Sequence, residues 1–306
     1  MKNILCVGHS ACDITYIMDE FPIENRKYKV NETKIMGGGP TGNASYLLGK
    51  YGEDVSYITT LGLDAYGVNI VSELESVKVD LKNSILKKEY TTPCSMIITN
   101  IKTGSRTILN HRNKNFIPDT YKINYINKPK FILFDGHEIE LARRALNEFP
   151  EAITILDAGS YKLETVELGA KVDYLICSED FAREYTEIEE VNKENYLEVF
   201  NKMKKLNKKN IIITLGEKGC LYKKNGEIYN YPAFETKAID TTGAGDIFHG
   251  AFVYALSNKF DLMKAIKFSS VCASLSVEKI GGRESIPMLE DIYKRMEKWE
   301  SIGLKI

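Results

Sequence analysis

The stretch that organises this chain is Ile239–Phe252, with the sequence IDTTGAGDIFHGAF. Small residues lead here into an apolar run, which predicts a helix from Gly245 to Leu256. The first turn of a helix has N–H groups without partners inside the helix, and the helix dipole makes this end attractive to an anion such as a phosphate. The sequence therefore predicts an anion site at Gly243–Gly245.

Asp246 follows directly, although a carboxylate beside an anion site repels the anion. Its placement makes sense if the carboxylate takes a proton from a hydroxyl group that attacks a phosphorus atom. A second interpretation is that Asp246 only complements the dipole of a capped core helix. That interpretation explains less, because it accounts neither for the run of small residues nor for the two threonines and the acidic Asp240 before them.

The sequence DTTGAGDIFHGAF resembles the C-terminal signature of the ribokinase-like (PfkB) carbohydrate kinases. The resemblance implies that Asp246 is the catalytic base and that Gly243, Ala244 and Gly245 form the anion hole. It also implies ATP as phosphoryl donor, with Mg²⁺. The implied fold is a ribokinase-like three-layer α/β sandwich with a mostly parallel central sheet and a small β-sheet lid.

The composition of the 306 residues is that of a globular protein, with 43% hydrophobic and 27% charged residues and a net charge of −1. Without a basic excess, neither a nucleic acid nor a membrane surface is expected as the main partner. The apolar run at the start is too short for a signal peptide and no run reaches transmembrane length, so we expect a cytoplasmic protein. The six cysteines lack metal-ligand spacing and are expected in the core.

Short apolar runs alternate with helical patterns along most of the chain. The runs that predict buried strands are Asn3–Val7, Val55–Thr60, Phe131–Phe134, Ile153–Leu156, Tyr174–Cys177 and Ile211–Leu215. This alternation predicts a mostly parallel sheet with helices on both faces. No linker interrupts it, so residues 1–306 are expected to form a single kinase domain.

Two polar segments, about 14–36 and 95–112, do not fit the buried pattern. Val30–Met36 is typical of an exposed antiparallel strand, and the residues around Ile101–Ser105 predict a hairpin. We interpret both segments as a lid. Its exposed edge predicts a lid-mediated homodimer.

The run Gly37–Asn43 formally contains GxGxxG, but a polar strand precedes it, so a dinucleotide site is rejected. It leads into a helix predicted from about Ala44 to Tyr51. The run is similar to the N-terminal signature of the same kinase family, which implies that Gly38 and Gly39 hinge the lid and that Asn43 binds sugar hydroxyls. Asp13, just past the end of the first strand, is expected to bind the sugar too, because ligands bind at that edge of open α/β sheets.

The chain has no P-loop motif. The stretch TLGEKG that begins at Thr214 predicts, taken alone, only a turn after a buried strand. The family resemblance makes it part of the nucleotide site, for which we predict the following residues: Thr214, Gly216, Gly219, Thr241, Gly243 and Gly245.

Ion sites follow only from the resemblance. Asp240, Thr242 and Ser285 match positions that hold a monovalent cation, such as K⁺, in several family members. The Asn-x-x-Glu motif that organises Mg²⁺ in the family is replaced here by Ser178 and Phe181. Glu179 or its neighbour is then a candidate magnesium ligand, or the ion is held mainly by ATP.

The predicted reaction is transfer of the γ-phosphoryl group of ATP to a sugar hydroxyl. Two alternatives stay open: a nucleoside kinase on the same fold, which needs a larger apolar pocket beside the lid, and a sugar-binding sensor without turnover. The basic residues of the first lid segment, around Arg26 and Lys27, are typical of an exposed strand edge, so the expected substrate is an unphosphorylated furanose or ketose. Gly104–Ile108 resembles a hairpin of ketohexokinase, which makes Arg106 a candidate contact for a substrate hydroxyl.

Overall fold

The computed structural model describes residues 3–30, 32–112, 121–124, 128–299 and 304–305. Within these residues the strands are, in chain order, β1 (Asn3–Val7), β2 (Ala11–Met18), β3 (Thr33–Gly38), β4 (Asp54–Ile58), β5 (Thr60–Gly62), β6 (Ile85–Lys87), β7 (Cys94–Asn100), β8 (Ser105–His111), β9 (Phe131–Phe134), β10 (Ile153–Ala158), β11 (Tyr174–Ser178), β12 (Asn210–Thr214), β13 (Cys220–Lys224), β14 (Glu227–Tyr231) and β15 (Leu304–Lys305). The helices are α1 (Pro40–Lys50), α2 (Ala65–Ser76), α3 (Ile139–Glu148), α4 (Leu163–Gly169), α5 (Glu179–Thr186), α6 (Tyr196–Leu206), α7 (Ala244–Ser257), α8 (Leu262–Ser276) and α9 (Leu289–Lys298).

A nine-stranded sheet forms the centre of the molecule, in the order β15-β14-β13-β12-β11-β10-β9-β1-β4. Neighbours from β4 to β12 pair in parallel, and the last three strands are antiparallel. The parallel strands consist of apolar runs because both of their faces are buried. The mostly parallel sheet predicted from the sequence is confirmed. A hairpin at Asn225–Gly226 joins the antiparallel strands β13 and β14.

Helices cover both faces of this sheet, because alternate residues of each strand point to opposite sides. In β1, Ile4 and Cys6 pack into a core cluster with α1, α2, α7, α8 and α9, whereas Leu5 and Val7 pack with α3, α4, α5 and α6 on the other face. The result is the three-layer sandwich that the family resemblance implied. Among the described residues, no helix is long and apolar enough to cross a membrane.

A second, four-stranded sheet in the order β3-β2-β7-β8 stands apart from the central one. Its strands come from both polar segments of the sequence, and the predicted hairpin forms its outer pair, β7 and β8. The sequence prediction was wrong about the position of Asp13. Strand β2 begins at Ala11, so Asp13 lies within the small sheet and not in a loop after β1. A two-stranded sheet, β5 with β6, completes the fold.

Two helices begin earlier than predicted. Helix α1 starts at Pro40, not Ala44, because proline suits the first turn of a helix, where its missing N–H leaves no bond unmade. Asn43 is thus held within a helical turn. Helix α7 starts at Ala244, with Gly243 before it in the left-handed conformation at φ 74°. Glycine reaches that conformation with little strain, which a larger residue would not.

Candidate active site

The N-terminus of α7 presents free backbone donors. Among the described residues, the N–H groups of Gly243 and Gly245 have no hydrogen-bond partner, whereas the N–H of Ala244 donates to the carbonyl of Thr241 at 3.3 Å. Two of the three predicted anion-hole donors are therefore available, and the third closes the turn before the helix. The dipole of α7 adds partial positive charge at the same point.

Asp246 lies in the first turn of this helix and faces α1. Asn43 Nδ2 donates to Asp246 Oδ2 at 2.8 Å, although the two residues are 203 positions apart. Burial raises the pKa of the Asp246 carboxyl, while the hydrogen bond from Asn43 and the charges of His249 and Arg106 act in the opposite direction. The two signature motifs of the sequence thus meet at one hydrogen bond.

Arg283 is a site residue that the sequence analysis did not identify. Its side chain is 3% exposed; Nη1 pairs with Glu73 Oε2 at 2.6 Å, and Nε lies 3.4 Å from Asn43 Oδ1. The guanidinium therefore faces the oxygen of the Asn43 amide, which directs the amide NH₂ towards Asp246. The only sequence signal was an arginine among the small residues of the loop that carries Ser285.

Asp13 projects from the small sheet at the point where β3 ends. A Cβ atom on Gly38 would lie 1.9 Å from Asp13 Oδ2, and one on Gly39, which has φ +86°, would lie 2.3 Å from the carbonyl oxygen of His9. Both positions require glycine, because Asp13 and the backbone of His9 approach too closely to leave room for a side chain. Burial, together with the negative charge of Asp246, raises the pKa of Asp13 to about 7, against the opposing effects of Ser95 and Arg283.

Asp135, directly after β9, is a second residue that sequence analysis missed. Its buried carboxylate accepts hydrogen bonds from His9 N at 2.7 Å, from Thr41 Oγ1 at 2.8 Å and from His137 N at 2.9 Å. Burial opposes its ionisation, but His137 and the backbone donors outweigh that effect and lower the pKa of Asp135. An acidic residue directly after a buried strand was the available signal, and only Asp13 was read that way.

Arg106, the candidate contact for a substrate hydroxyl, lies beside the segment that precedes α7. Its Nη1 donates to Thr241 Oγ1, and its charge lowers the pKa of Asp246. Gly104, at the tip of the same hairpin, approaches the carbonyl oxygen of Ala238 closely enough that an added Cβ would lie 3.3 Å from it. The hairpin of the small sheet therefore reaches the segment before α7.

A cavity of about 690 Å³ opens on the other side of Thr241. Its lining includes five of the six residues predicted for the nucleotide: Thr214, Gly216, Gly219, Thr241 and Gly245. Apolar and small residues, among them Phe234, Ala273 and Val277, form most of the remaining wall, to which Glu217 and Glu235 also contribute. This size and lining are typical of a small-molecule site.

The three residues predicted for a monovalent cation lie together. Asp240 is buried, with Oδ1 accepting from Thr242 N and Oδ2 from Gly281 N, both at 2.9 Å. Thr242 Oγ1 is buried without a partner among the described residues, and Ser285 Oγ donates to the carbonyl of Gly282 at 3.0 Å. A buried carboxylate and an unpartnered hydroxyl suit a hard cation that prefers oxygen ligands.

The stretch Ser178–Phe181, which replaces the family's Asn-x-x-Glu motif, has a local structural role. Ser178 Oγ accepts from Phe181 N at 3.0 Å and so caps α5, while the Phe181 ring is fully buried. Glu179 pairs with Lys218 at 3.3 Å and does not line the cavity. Among the described residues, no cluster of three or more His, Cys, Asp or Glu side chains could hold a metal ion.

A sequence profile that describes the pfkB family carbohydrate kinases matches residues 1–289. The chain belongs to this family. It is an ATP-dependent kinase of the sugar and nucleoside class; the ATP-dependent kinase predicted from the sequence is confirmed.

Relatives of this pfkB chain align over almost its whole length. It is 26% identical to a ribokinase of Staphylococcus aureus, covering 95% of this chain and 98% of the relative. It is 27% identical to a 5-dehydro-2-deoxygluconokinase of Halalkalibacterium halodurans, covering 99% and 96%. A nucleoside kinase of Methanocaldococcus jannaschii is 23% identical, covering 97% and 98%.

Solved structures confirm the fold. A crystal structure described as a ribokinase from Agrobacterium tumefaciens superimposes with a TM-score of 0.84 at 25% identity, covering 97% of this chain and 98% of the other. The ribokinase of Arabidopsis thaliana, solved with ribose and ATP, superimposes with a TM-score of 0.80 at 22% identity, covering 97% and 99%.

Proposed function

We propose that this kinase transfers the γ-phosphoryl group of ATP to a hydroxyl of an unphosphorylated sugar, with Asp246 as general base. The observation that carries the proposal is the position of Asp246. Its carboxylate is bonded to Asn43 and lies within the electrostatic reach of Asp13 on one side and of Arg106 on the other. Gly245, one residue before it, lines the 690 Å³ cavity.

In this proposal, Asp13 and Asn43 bind sugar hydroxyls, and Asp135 supports the backbone of His9 and Thr41 beside them. The attacking hydroxyl loses its proton to Asp246 as its oxygen bonds to the γ-phosphorus, and ADP leaves with the electron pair of the broken bond. The free N–H groups of Gly243 and Gly245 donate to the phosphoryl oxygens. Arg106, which sequence analysis assigned to a substrate hydroxyl, provides positive charge on the nucleotide side.

The whole chain acts in this proposal as one kinase domain. The four-stranded sheet serves as a lid, for which Gly38 and Gly39 are the hinge. The adenosine and phosphates of ATP occupy the cavity beside Thr214, Gly216 and Gly219. Mg²⁺ bound to the ATP oxygens offsets their negative charge, and Glu179 is not required because Lys218 already pairs with it. Asp240, Thr242 and Ser285 would hold K⁺, whose charge supports the loop before α7.

The charges around Asp13 favour a neutral substrate. A sugar phosphate normally needs several free Arg or Lys side chains. Here the buried Arg283 is bonded to Glu73, and Arg112 donates to the buried Glu138 at 3.1 Å. Arg26 and Lys27 are exposed to solvent. The polar, internally bonded surroundings of Asp13 also favour a sugar over a nucleoside, whose base needs an apolar pocket.

ADP release with a panel of substrates tests the proposal. The panel contains ribose, fructose, fructose 6-phosphate, a sugar acid and adenosine, assayed with ATP and Mg²⁺, with and without K⁺. We expect the highest kcat/KM for an unphosphorylated sugar and none for Asp246→Asn. Preference for a nucleoside would support the alternative on this fold, and sugar binding without ADP release would support a sensor.

We also propose a homodimer formed through the lid. Ile35, Ile14, Met96 and Leu109 are successive cross-strand partners and form an apolar row across the small sheet. Three of them are strongly exposed: Ile35 at 58%, Leu109 at 57% and Met96 at 41%. Sedimentation of the wild type and of Leu109→Lys tests this proposal, because a charge in the row should yield monomers.

A further inference from the structure

His249 is buried one helical turn after Asp246 and takes part in no step described so far. Its Nδ1 lies 2.6 Å from the carbonyl oxygen of Gly245 and 3.1 Å from Asp157 Oδ2. Its Nε2 lies 3.2 Å from the carbonyl oxygen of Ile176. The ring is 4% exposed, so water does not compete for these positions.

These contacts determine which form of the ring is compatible with the site. A carbonyl oxygen only accepts hydrogen bonds, and a neutral imidazole has one N–H and one lone pair. Either neutral tautomer would point a lone pair at a carbonyl oxygen inside the protein. The imidazolium, which donates from both nitrogens, satisfies all three acceptors, and the Asp157 carboxylate compensates its charge.

The charge of this ring matters because Asp246 has several negative neighbours. The charged and titratable groups that face Asp246 from the elements packed around it are Asp13 on β2, Arg106 on β8, Asp135 after β9, Asp157 on β10 and His249 on α7. Burial raises the pKa of Asp157 to about 7; His249 opposes that rise, whereas Asp246 and Asp135 add to it. The carboxyl groups of Asp13, Asp135 and Asp157 therefore disfavour the ionised form of Asp246, whereas the cations Arg106 and His249 favour it.

We propose that His249, held as an imidazolium by Asp157, Gly245 and Ile176, keeps the Asp246 carboxylate ionised and ready to accept the substrate proton. His249 and Asp157 are positioning residues, since neither reaches the substrate. The inference rests on the proposed function, in which Asp246 is the base. It explains why a histidine occupies a helix position surrounded by the core residues Phe248 and Phe252.

The positive charge of His249 determines the direction in which its removal changes the pKa of Asp246. Without the imidazolium, burial and the neighbouring carboxylates raise the pKa of Asp246 further. A protonated Asp246 cannot act as base, so activity is lost at neutral pH and returns as the pH rises through the new value. A purely structural role would lower activity by the same factor at every pH.

The test is the pH dependence of kcat for His249→Gln, because glutamine keeps a donor and an acceptor but no charge. We expect the acidic limb of the plot of kcat against pH to shift to higher pH by about one unit or more. The kcat relative to wild type should therefore fall about tenfold further at pH 6.5 than at pH 9. The KM for ATP should stay within about twofold. His111→Gln, an exposed histidine on β8, is the matched control and should leave the limb in place.

A second measurement does not depend on activity. The chain has four histidines, so their Cε1–Hε1 NMR signals in the wild type can be assigned by single substitutions. We expect the His249 signal at the imidazolium position at pH 7.5. A neutral His249, or a kcat loss that is uniform from pH 6.5 to 9, would overturn the inference. If instead Asp246→Asn keeps its activity, it is the proposed function that fails.

Discussion

The two sides of Asp246 are built differently. The proposed nucleotide side is an open cavity whose wall consists mostly of small and apolar residues such as Gly216 and Ala273. On the proposed sugar side, charged groups and the Asn43 amide bond to one another in a chain from Glu73 through Arg283 and Asn43 to Asp246. The first is a preformed shape and the second a network of charges. Changes on the nucleotide side should therefore act through volume, and changes on the sugar side through hydrogen bonds and protonation.

The largest effect should come from the residue that both sides share. Asp246→Asn keeps the shape and can still bond to Asn43, but it cannot accept a proton. We expect kcat to fall by about 10²–10⁴-fold, with the KM values for ATP and sugar nearly unchanged. Steady-state kinetics with both substrates measures this. A variant that keeps most of the wild-type kcat would rule out Asp246 as the base.

The second effect tests the backbone of the sugar side. In Gly39→Ala, the new Cβ meets the carbonyl oxygen of His9 at 2.3 Å in a conformation with φ +86°. We expect a higher sugar KM and a lower kcat, together about 10–100-fold in kcat/KM, because the strained backbone displaces the lid and the start of α1.

Gly226→Ala is the control for Gly39→Ala. Gly226 has a similar φ of +88° in the β13–β14 hairpin, but an added Cβ there meets no atom within 4 Å. It should lower thermal stability without changing KM for the sugar. Equal kinetic effects of the two variants would mean that backbone strain alone, and not the contact with His9, is responsible.

The same contrast explains what the sequence could predict. Asp246, Gly243 and Asn43 lie in two continuous motifs, where neighbouring residues fix the local backbone, so their place in the site followed from short stretches. Arg283, Asp135 and the His249–Asp157 pair come together only through the packing of separate strands and helices. A single arginine or histidine without regular spacing has no local pattern, so Arg283 and the His249–Asp157 pair could not be identified. Asp135 had one signal, its position directly after a buried strand.

Fold elements followed the same rule. The apolar strands β9 and β12 were predicted within a residue or two, because burial on both faces imposes an apolar run. The start of β2 at Ala11 was missed, because no local sequence signal marks the point where the chain passes from the central sheet to the small sheet. The contact of Arg106 with Thr241 depends on the approach of the β7–β8 hairpin to the segment before α7, which no local sequence pattern determines.

A smaller effect should appear on the nucleotide side. Ala273→Phe adds a ring to the wall of the cavity opposite the loop that contains Gly216. Overfilling a packed space costs about 1–3 kcal/mol, so we expect the KM for ATP to rise roughly tenfold or somewhat more. The Kd for sugar, measured without nucleotide by calorimetry, should not change. A parallel loss of sugar affinity would show that the two sides are not separate.

The smallest predicted effect concerns protonation on the sugar side. Burial and the charge of Asp246 raise the pKa of Asp13 to about 7, so the fraction of ionised Asp13 falls about tenfold between pH 8 and pH 6. The carboxylate accepts hydrogen bonds from sugar hydroxyls on both oxygens, whereas the protonated carboxyl turns one oxygen into a donor and is a weaker acceptor. Sugar binding should therefore weaken by up to that factor at pH 6, in calorimetry without nucleotide.

Asp13→Asn should bind weakly at both pH values and lose the pH dependence, because its side chain does not titrate. Asp135, whose pKa is lowered, stays ionised across this range and does not contribute. If wild-type affinity were the same at pH 6 and pH 8, Asp13 would not bind the sugar as a carboxylate, and shape alone would govern both sides of the site.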